Sequence, residues 1–415
     1  MLSMSWPTGL TFLIFLLTYI ALGVGKIWRL KLDRASIALL GAIAMLAFGN
    51  IDLEQATSSA INFEALAILF SLMVIVSQLY YGGFFGAVAT RLTALSAYPC
   101  LFLAILMLTA GILSAFLSNN VVALSFTPIL TVILLRQGYN PVAFLIGLAM
   151  ACNIGSTYTT LGNAQNILIA ESANVDFSHY LLWAFTPVSM ALIAAYIITV
   201  KLGKPTFYLS KKIDINTDEE DVIAFDRWRV TKGVATLITI VVLFFSPLPR
   251  YLVTLVGAGI LLCSQRLESR TVLSRVDWNL LILFASLFVI IGGLNNTDLP
   301  EQAIAFIQHQ GINTQSPYIL SLLAGCLSIL INNAAAVILL VNTLPIHGMN
   351  AYVLMMANAF AGNFLLIGSI TALIVSQSAA NFGVKIKFGV FLKYGVLTTL
   401  LSYGILFVWI WLTQF

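Results

Sequence analysis

The stretch Asn153-Ile-Gly-Ser-Thr-Tyr-Thr-Thr-Leu-Gly-Asn-Ala-Gln-Asn166 is a polar, glycine-rich interruption of an otherwise apolar segment, 141–172. This composition predicts a membrane-crossing helix that is unwound at its middle. The rest of the chain fits a membrane setting: of its 415 residues, 60% are hydrophobic and 9% are charged, against about 25% charged in typical soluble proteins. The apolar runs are continuous, whereas the strands of outer-membrane barrels alternate apolar and polar residues. We therefore expect an all-α polytopic membrane protein.

The unwound stretch has a counterpart in Ala361-Gly-Asn-Phe-Leu-Leu-Ile-Gly-Ser-Ile-Thr371, which points to an internal repeat. The matched positions run in the same order along both halves, with offsets of 216, 215, 213 and 206 residues: Gly41 with Gly257, Ser71 with Ser286, Asn119-Asn120 with Asn332-Asn333, and Leu161-Gly162 with Ile367-Gly368. We expect a first transmembrane repeat over 1–203, a cytoplasmic linker over 204–232 and a second repeat over 233–415.

Each half is predicted to contain five crossings, one of them broken, and one re-entrant hairpin, which gives about ten transmembrane helices. Because five is odd, the second repeat should be inverted relative to the first. Short amphipathic segments at 83–95 and 299–311 should lie at the membrane surface. The predicted spans are 8–25, 35–50, 64–81, 141–172 and 178–203, then 233–249, 251–265, 279–294, 350–379 and 388–413, with hairpins at 99–136 and 316–345.

The loop charges predict the orientation by the positive-inside rule. Basic residues directly follow the first span, which places both termini outside and the linker in the cytoplasm of a cell (inner) membrane. Acidic residues dominate the outside loops, where Arg250 is the one basic exception. The inside residues are Lys26, Arg29, Lys31, Arg34, Arg91, Arg136, Lys201, Lys204, Arg266, Arg270, Arg275, Lys385, Lys387 and Lys393; the outside ones are Asp52, Glu54, Glu171, Asp176, Asp298 and Glu301.

Each hairpin is an apolar run interrupted by a polar tip, Ser118-Asn119-Asn120 in the first and Asn332-Asn333 in the second. Backbone polar groups at such a tip must face protein or water. We expect Asn120 and Asn333 to cap the returning arms, so that the positive end of each arm points at the membrane centre. The restarting helix at Asn163 should offer N–H donors to an oxygen-rich or anionic solute.

No acidic or basic residue lies in the four polar interruptions, which are 118–120, 153–166, 332–333 and 361–371. Glu64 and Glu171 lie at span ends, so no carboxylate proton relay is visible inside them. The sequence predicts no metal site, no cofactor, no catalytic residue and no nucleic-acid partner, and an intramembrane enzyme is disfavoured. Inverted repeats with broken helices are instead typical of secondary transporters, with the site near the bilayer midplane.

These interruptions resemble the ion transporter superfamily and, within it, the arsenite permease family with its silicon-efflux and anion-permease relatives. Ser118-Asn119-Asn120, followed by an apolar arm and Thr127-Pro128, resembles the family's first hairpin, in which many members carry Asp where Asn120 stands. Asn153-Ile-Gly-Ser and Gly162-Asn163-Ala-Gln-Asn166 resemble its broken-helix motifs, with Ala164 in place of the frequent Pro. Asn332-Asn333 lacks the hydroxyls found in sodium–dicarboxylate relatives.

The resemblance implies an inner-membrane carrier that exports arsenite or antimonite, commonly in exchange for protons. A sodium-coupled anion or dicarboxylate carrier and a passive channel remain alternatives, and a homodimer is implied by the family alone. The solute and the coupling proton or sodium would bind at Ser118, Asn119, Asn120, Thr157, Thr159, Thr160, Gly162, Asn163, Asn166, Asn332, Asn333, Asn363, Gly368, Ser369 and Thr371.

Overall fold

The computed structural model describes residues 6–24, 32–93, 97–208, 224–263, 268–311, 313–366 and 368–413, and these form helices and no named strand. Seven of the described helices are long and apolar enough to cross a bilayer, and six shorter apolar helices accompany them. Large apolar side chains on the outer helices are exposed, as lipid contact requires, with Leu182 at 74% and Leu400 at 62%. The chain is therefore an all-α polytopic membrane protein, as predicted.

The helices of the first half follow the predicted order. Their bounds are α1 (Trp6–Val24), α2 (Arg34–Phe48), α3 (Leu53–Gln55), α4 (Phe63–Tyr81), α5 (Phe84–Thr93), α6 (Pro99–Leu117), α7 (Asn119–Arg136), α8 (Pro141–Gly155), α9 (Ala164–Ser172) and α10 (Phe177–Gly203), with a π-helix at Ala56–Ala60 and 3₁₀ turns at Ser156–Tyr158 and Lys204–Thr206.

The second half repeats this order from α11 onward. Its helices are α11 (Arg227–Leu243), α12 (Arg250–Leu262), α13 (Ser269–Leu273), α14 (Trp278–Asn295), α15 (Leu299–His309), α16 (Pro317–Leu330), α17 (Asn333–Thr343), α18 (Met349–Ala361), α19 (Ile370–Ala380) and α20 (Phe388–Thr413). The breaks between α8 and α9 and between α18 and α19 fall where the sequence predicts them. The arms of the first hairpin, α6 and α7, are 19 and 18 residues long, whereas α16 and α17 have 14 and 11.

Polar residues in front of the apolar runs fix where several helices begin. The Asn62 and Asp277 side chains, 215 residues apart, accept hydrogen bonds from Ala65 N and Leu280 N at 2.9 and 3.0 Å, and so cap α4 and α14. The Asp226 carboxylate accepts from two backbone N–H groups in the same way. This cap starts α11 at Arg227, inside the segment predicted as linker, because it satisfies donors that the helix leaves open.

Packing between the halves is reciprocal and places the interruptions centrally. Helix α2 packs against α14 and α4 against α12, while α7 packs against α19 and α17 against α9. Within each half, α6 packs against α8 and α16 against α18. Helix α8 is buried at 14 of its 15 positions, so its C-terminal end and the following break lie in the protein interior and away from lipid.

Some of the charge prediction falls on residues outside the described ranges. These residues are Lys26, Arg29, Lys31 and Arg266. Six charged residues of the predicted linker also lie outside the described ranges: Lys211, Lys212, Asp218, Glu219, Glu220 and Asp221. Of the predicted linker, the structure describes 204–208 and 224–232.

Candidate functional site

The tip of the first hairpin is a one-residue turn anchored to the first helix break. Ser118 separates α6 from α7 and has a φ of 70°, a backbone conformation that is costly for a residue with a Cβ and that clusters at functional sites. Asn119 N donates to Gly162 O at 3.0 Å, and the Asn119 side chain accepts from Asn120 N at 2.9 Å. The tip is thus held against the unwound stretch of its own half.

The tip of the second hairpin has a related arrangement. Asn332 has a φ of 150°, and its side chain accepts from Ala334 N at 3.1 Å. The amide nitrogen of Asn333 lies 2.8 Å from where a Cβ on Gly362 would be, so the glycine at the second break allows this close approach. The Asn333 side-chain oxygen is buried without a hydrogen-bond partner in the described structure.

The prediction that Asn120 and Asn333 cap the returning arms is wrong. The cap positions are Ser118, which makes no side-chain cap bond, and Asn332, which does. Helices α7 and α17 begin at Asn119 and Asn333 because each tip turns at a single residue of positive φ. Asn120 therefore lies within the first turn of α7, and its side chain is free to point towards the other half.

The first break is held together by its own side chains. Helix α9 restarts at Asn163, as predicted; the Asn163 side chain caps it by accepting from Asn166 N at 2.7 Å, and donates to Ser156 Oγ at 2.9 Å. The Asn166 amide donates to the carbonyl oxygens of Ser156 and Thr159 at 3.3 and 3.1 Å. The Thr159 hydroxyl donates to Ala115 O on α6. These bonds satisfy carbonyls that unwinding would otherwise leave open.

Several predicted site residues are therefore occupied within the protein. The Thr157 hydroxyl donates to Ile154 O at 2.6 Å, and Thr157 O accepts from Tyr180 at 2.8 Å. Thr160 is 2% exposed. A Cβ at residue 162 would lie 2.2 Å from Ser156 O, so Gly162 allows the loop to fold on itself. In this conformation Thr157, Thr159, Thr160, Gly162, Asn163 and Asn166 shape the loop and do not line an open cavity.

The two halves meet through side-chain amides and hydroxyls at the breaks. Asn153 donates to Asn363 Oδ1 at 3.0 Å, lies 3.1 Å from Ser369 Oγ, and accepts from Asn119 at 3.2 Å. Separately, the Thr371 hydroxyl donates to Asn120 Oδ1 at 2.8 Å. We call this the interhalf cluster; its members are Asn119, Asn120, Asn153, Asn363, Ser369 and Thr371. Among the described residues, no hydrogen bond joins Asn332, Asn333 or Gly368 to this cluster.

Asn153 is the central member of the cluster, yet the predicted set omits it. It is 2% exposed and belongs to the last turn of α8. Asparagine in an apolar helix carries two donors and an acceptor that need partners. The sequence signal that could have identified Asn153 as a site residue is its position at the start of the polar stretch 153–166.

A half-buried ion pair also joins the halves. Arg250 Nη1 lies 3.2 Å from Glu171 Oε1, with side-chain exposures of 20% and 12%. Arg250 begins α12, whereas Glu171 lies in the last turn of α9. The pairing with Glu171 gives a physical reason for Arg250, the one basic residue that the loop-charge prediction places outside. No group of three or more metal-ligating side chains occurs among the described residues.

Of the predicted residues, Ser118 and Asn120 line a cavity. The cavity has a volume of about 50 Å³, whereas one water needs roughly 10–15 Å³, so it admits several waters. It lies between α4, the start of α14 and the first hairpin tip. The tip thus faces both protein and a space large enough to hold water, as the backbone argument requires.

Comparisons with known proteins agree with this architecture. A model of the family described as "Citrate transporter" matches residues 14–361. A 46 kDa membrane protein of Mycobacterium leprae is 28% identical, over 96% of this chain and 97% of its own length. An uncharacterized transporter of Mycobacterium tuberculosis is 27% identical, over 97% and 99%. A Dictyostelium discoideum relative that carries the transporter name arsB is 21% identical, over 90% and 86%.

The family match covers both hairpin tips and three of the six cluster residues, Asn119, Asn120 and Asn153, and it confirms the predicted membership of the ion transporter superfamily. The relatives are named as transporters or membrane proteins. The chain therefore belongs to the citrate transporter family and is a multi-pass membrane transporter.

Proposed function

We propose that this chain is a secondary transporter that moves a small oxygen-rich solute by alternating access, with export of arsenite or antimonite as the first activity to test. The observation that carries the proposal is the interhalf cluster. It joins a hairpin tip, a helix break and the opposite half through neutral groups, Asn153 to Asn363 at 3.0 Å and Thr371 to Asn120 at 2.8 Å. Sites of this kind lie between the halves of repeat-built carriers.

The chemistry of the cluster suits a hydroxylated solute. Carboxamides and hydroxyls both donate and accept, which matches a neutral trihydroxide such as arsenous acid. A neutral solute needs no fixed counter-charge, and the four polar interruptions carry none. Burying an uncompensated charge would be costly, so this solute class is the simplest match.

We assign the moving unit to the hairpins and broken helices, α6–α9 and α16–α19, which the cluster holds together. The scaffold would be α1, α2, α4, α11, α12 and α14, which pack across the halves. In this proposal 1–203 and 233–415 are inverted repeats, 204–232 is cytoplasmic, both termini are outside and the protein lies in the inner membrane. A homodimer would form through the scaffold.

The first test is flux into proteoliposomes that contain the purified full-length chain. We expect accumulation of arsenite against its gradient when a pH gradient is imposed, and reduced flux in Asn363→Ala, which removes one partner of Asn153. A metalloid-sensitive host that expresses the chain should gain resistance. Absence of both arsenite flux and resistance would overturn the arsenite proposal. Strictly downhill flux would indicate a passive facilitator instead of a coupled carrier.

A second candidate is a citrate-like carboxylate moved together with protons or sodium. The description of the matching family favours it. Labelled citrate flux, measured with and without a sodium gradient, separates the candidates. Sodium-independent arsenite flux without citrate flux would eliminate the carboxylate, and citrate flux without arsenite flux would eliminate the metalloid.

A further inference from the structure

Two cavities occupy matching positions in the two halves. The first, which we call the Tyr80 vestibule, is lined on α4 by Met73, Ser77 and Tyr80. The second, the Asn295 vestibule, is lined on α14 by Phe288, Gly292 and Asn295. Each of these α14 residues lies 215 residues after its α4 counterpart, the offset predicted for the repeat. The two cavities are thus formed on the same face of α4 and of its predicted repeat counterpart, α14.

Each vestibule lies between the proposed scaffold and a returning hairpin arm. The Tyr80 vestibule reaches the tip of the first hairpin at Ser118 and Asn120. The Asn295 vestibule contacts the second hairpin at Asn342, near the end of α17, and its lining does not include that hairpin's tip. Of the two vestibules, the Tyr80 vestibule is the one that predicted site residues line in this conformation.

The two vestibules differ in chemistry. Arg275 lines the Tyr80 vestibule, and its guanidinium lies 3.2 Å from the centroid of the Tyr80 ring. The residue 215 positions earlier is Ala60, which lines the Asn295 vestibule. The described lining of that second cavity is uncharged: its polar members are Gln55, Ser59, Asn295, Asn296 and Asn342.

Stacking on Tyr80 leaves the guanidinium available to a ligand. A guanidinium held flat on an aromatic ring keeps its N–H groups at the edge of the plane, where they can bind carboxylate or oxyanion oxygens in pairs. Among the described residues, no carboxylate forms an ion pair with Arg275. Since Arg275 is exposed, it lies at the mouth of the vestibule, and Asn120 lies at the hairpin tip.

Asp277 also lines the Tyr80 vestibule. Its carboxylate accepts from Leu280 N at 3.0 Å and caps α14, a helix of 18 residues. The positive end of the helix offsets part of that negative charge. The Arg275 charge has no such partner, so it is the less compensated of the two charges that face the cavity.

We infer that Arg275, held against Tyr80, is a specificity-determining residue that admits anionic oxygen-rich solutes to the site from the Tyr80 vestibule in preference to neutral hydroxides. This inference rests on the proposed transport function, and within it favours the carboxylate candidate over the neutral metalloid, because anions are the class selected at this mouth. The Asn295 vestibule, which carries only neutral amides and a hydroxyl in its described polar lining, exerts no such selection.

A chemical test measures the charge in the vestibule without any transported substrate. The chain is purified in detergent with Cys100, Cys263 and Cys326 replaced by serine, which leaves the fully buried Cys152. A thiol is then introduced by Leu124→Cys, at a vestibule residue that is 43% exposed. The measured quantity is its reaction rate with an anionic methanethiosulfonate divided by its rate with a cationic one.

Arg275→Gln should lower this ratio about fivefold at low salt, as expected for a unit charge within roughly 8 Å in water. The effect should shrink to about twofold at 0.1 M salt because of screening. Arg275→Lys should preserve the ratio, and Arg270→Gln, which removes an arginine outside the cavity lining, should leave it unchanged. A thiol introduced by Ser59→Cys in the Asn295 vestibule should not respond to Arg275→Gln. An unchanged ratio at the Leu124→Cys thiol would overturn the inference.

Transport supplies the second readout, with labelled citrate as the anionic probe and arsenite, neutral at pH 7, as its counterpart. Arg275→Gln should raise the KM for citrate about fivefold with little change in maximal rate, and should leave arsenite flux unaltered. An equal effect on both probes would overturn the inference, because it would reveal a merely structural role. If neither probe is transported, the proposed function fails for these solutes, while the thiol ratio still decides the role of Arg275.

Discussion

Replacing Asn153 by alanine tests whether the interhalf cluster holds the two halves of the site together. The substitution removes bonds to three partners, Asn119, Asn363 and Ser369. Hydrogen bonds between helices in membranes contribute about 0.6 kcal/mol each on average, and about 1 kcal/mol each in proteins generally. We therefore expect Asn153→Ala to lower the free energy of unfolding by about 2–3 kcal/mol.

The assay is unfolding of the purified chain in mixed micelles of increasing SDS fraction, with flux measured in parallel. An increase of about 1.4 kcal/mol in the activation free energy lowers a rate about tenfold. We expect misalignment of the site to cost at least this much, so flux should fall at least tenfold. Asn358→Ala is the matched control, because Asn358 is 1% exposed and bonds to Ser328 within its own half at 2.6 Å. It should cost about 1 kcal/mol and leave flux nearly unchanged.

A double-mutant cycle locates the effect at the contact between the halves. Asn153→Ala and Asn363→Ala should be less than additive by about 0.6–1 kcal/mol, since each removes the same 3.0 Å bond. Additivity within about 0.3 kcal/mol, or equal stability losses for Asn153→Ala and Asn358→Ala, would refute the role assigned to the cluster.

Two other substitutions test neighbouring features. Asn120→Asp should retain transport and increase its pH dependence, because the carboxylate keeps the bond from Thr371 and adds a titratable group. An unchanged pH profile of flux, together with full activity of Asn120→Ala, would contradict this prediction. Gly155→Ala should destabilise the chain by about 1–3 kcal/mol in the same SDS assay, because the new Cβ would lie 2.2 Å from Gly111 Cα. Gly259→Ala is its control, because the new Cβ meets nothing within 4 Å, and it should be neutral or stabilising by up to about 1 kcal/mol. Equal SDS unfolding of the two variants would show that the contact between Gly155 and Gly111 tolerates a methyl group.

The positions of the helix breaks and hairpin tips were predictable because they depend on local composition. Hydrocarbon tolerates a polar, glycine-rich stretch such as 153–166 only where the backbone is satisfied by protein or water. The caps were predictable only in part. Helix α9 restarts at Asn163 as expected, but α7 is capped two residues earlier than predicted, at Ser118 instead of Asn120, because Ser118 alone makes the turn. Shifts of one or two residues at a helix start depend on how the hairpin tip is anchored to another segment.

The amino-acid sequence by itself determined the membrane setting, the helical class, the places where helices break and the absence of charge there, since each follows from the composition of a single segment. Only the tertiary structure decided which neutral groups meet. Asn153 reaches Asn363 and Ser369, and Arg250 finds Glu171, over separations of 210, 216 and 79 residues. It also placed Arg275 on Tyr80 in one vestibule while the matching face of the other half has Ala60. Contacts of this range depend on how two separately folded segments pack, which no local pattern encodes.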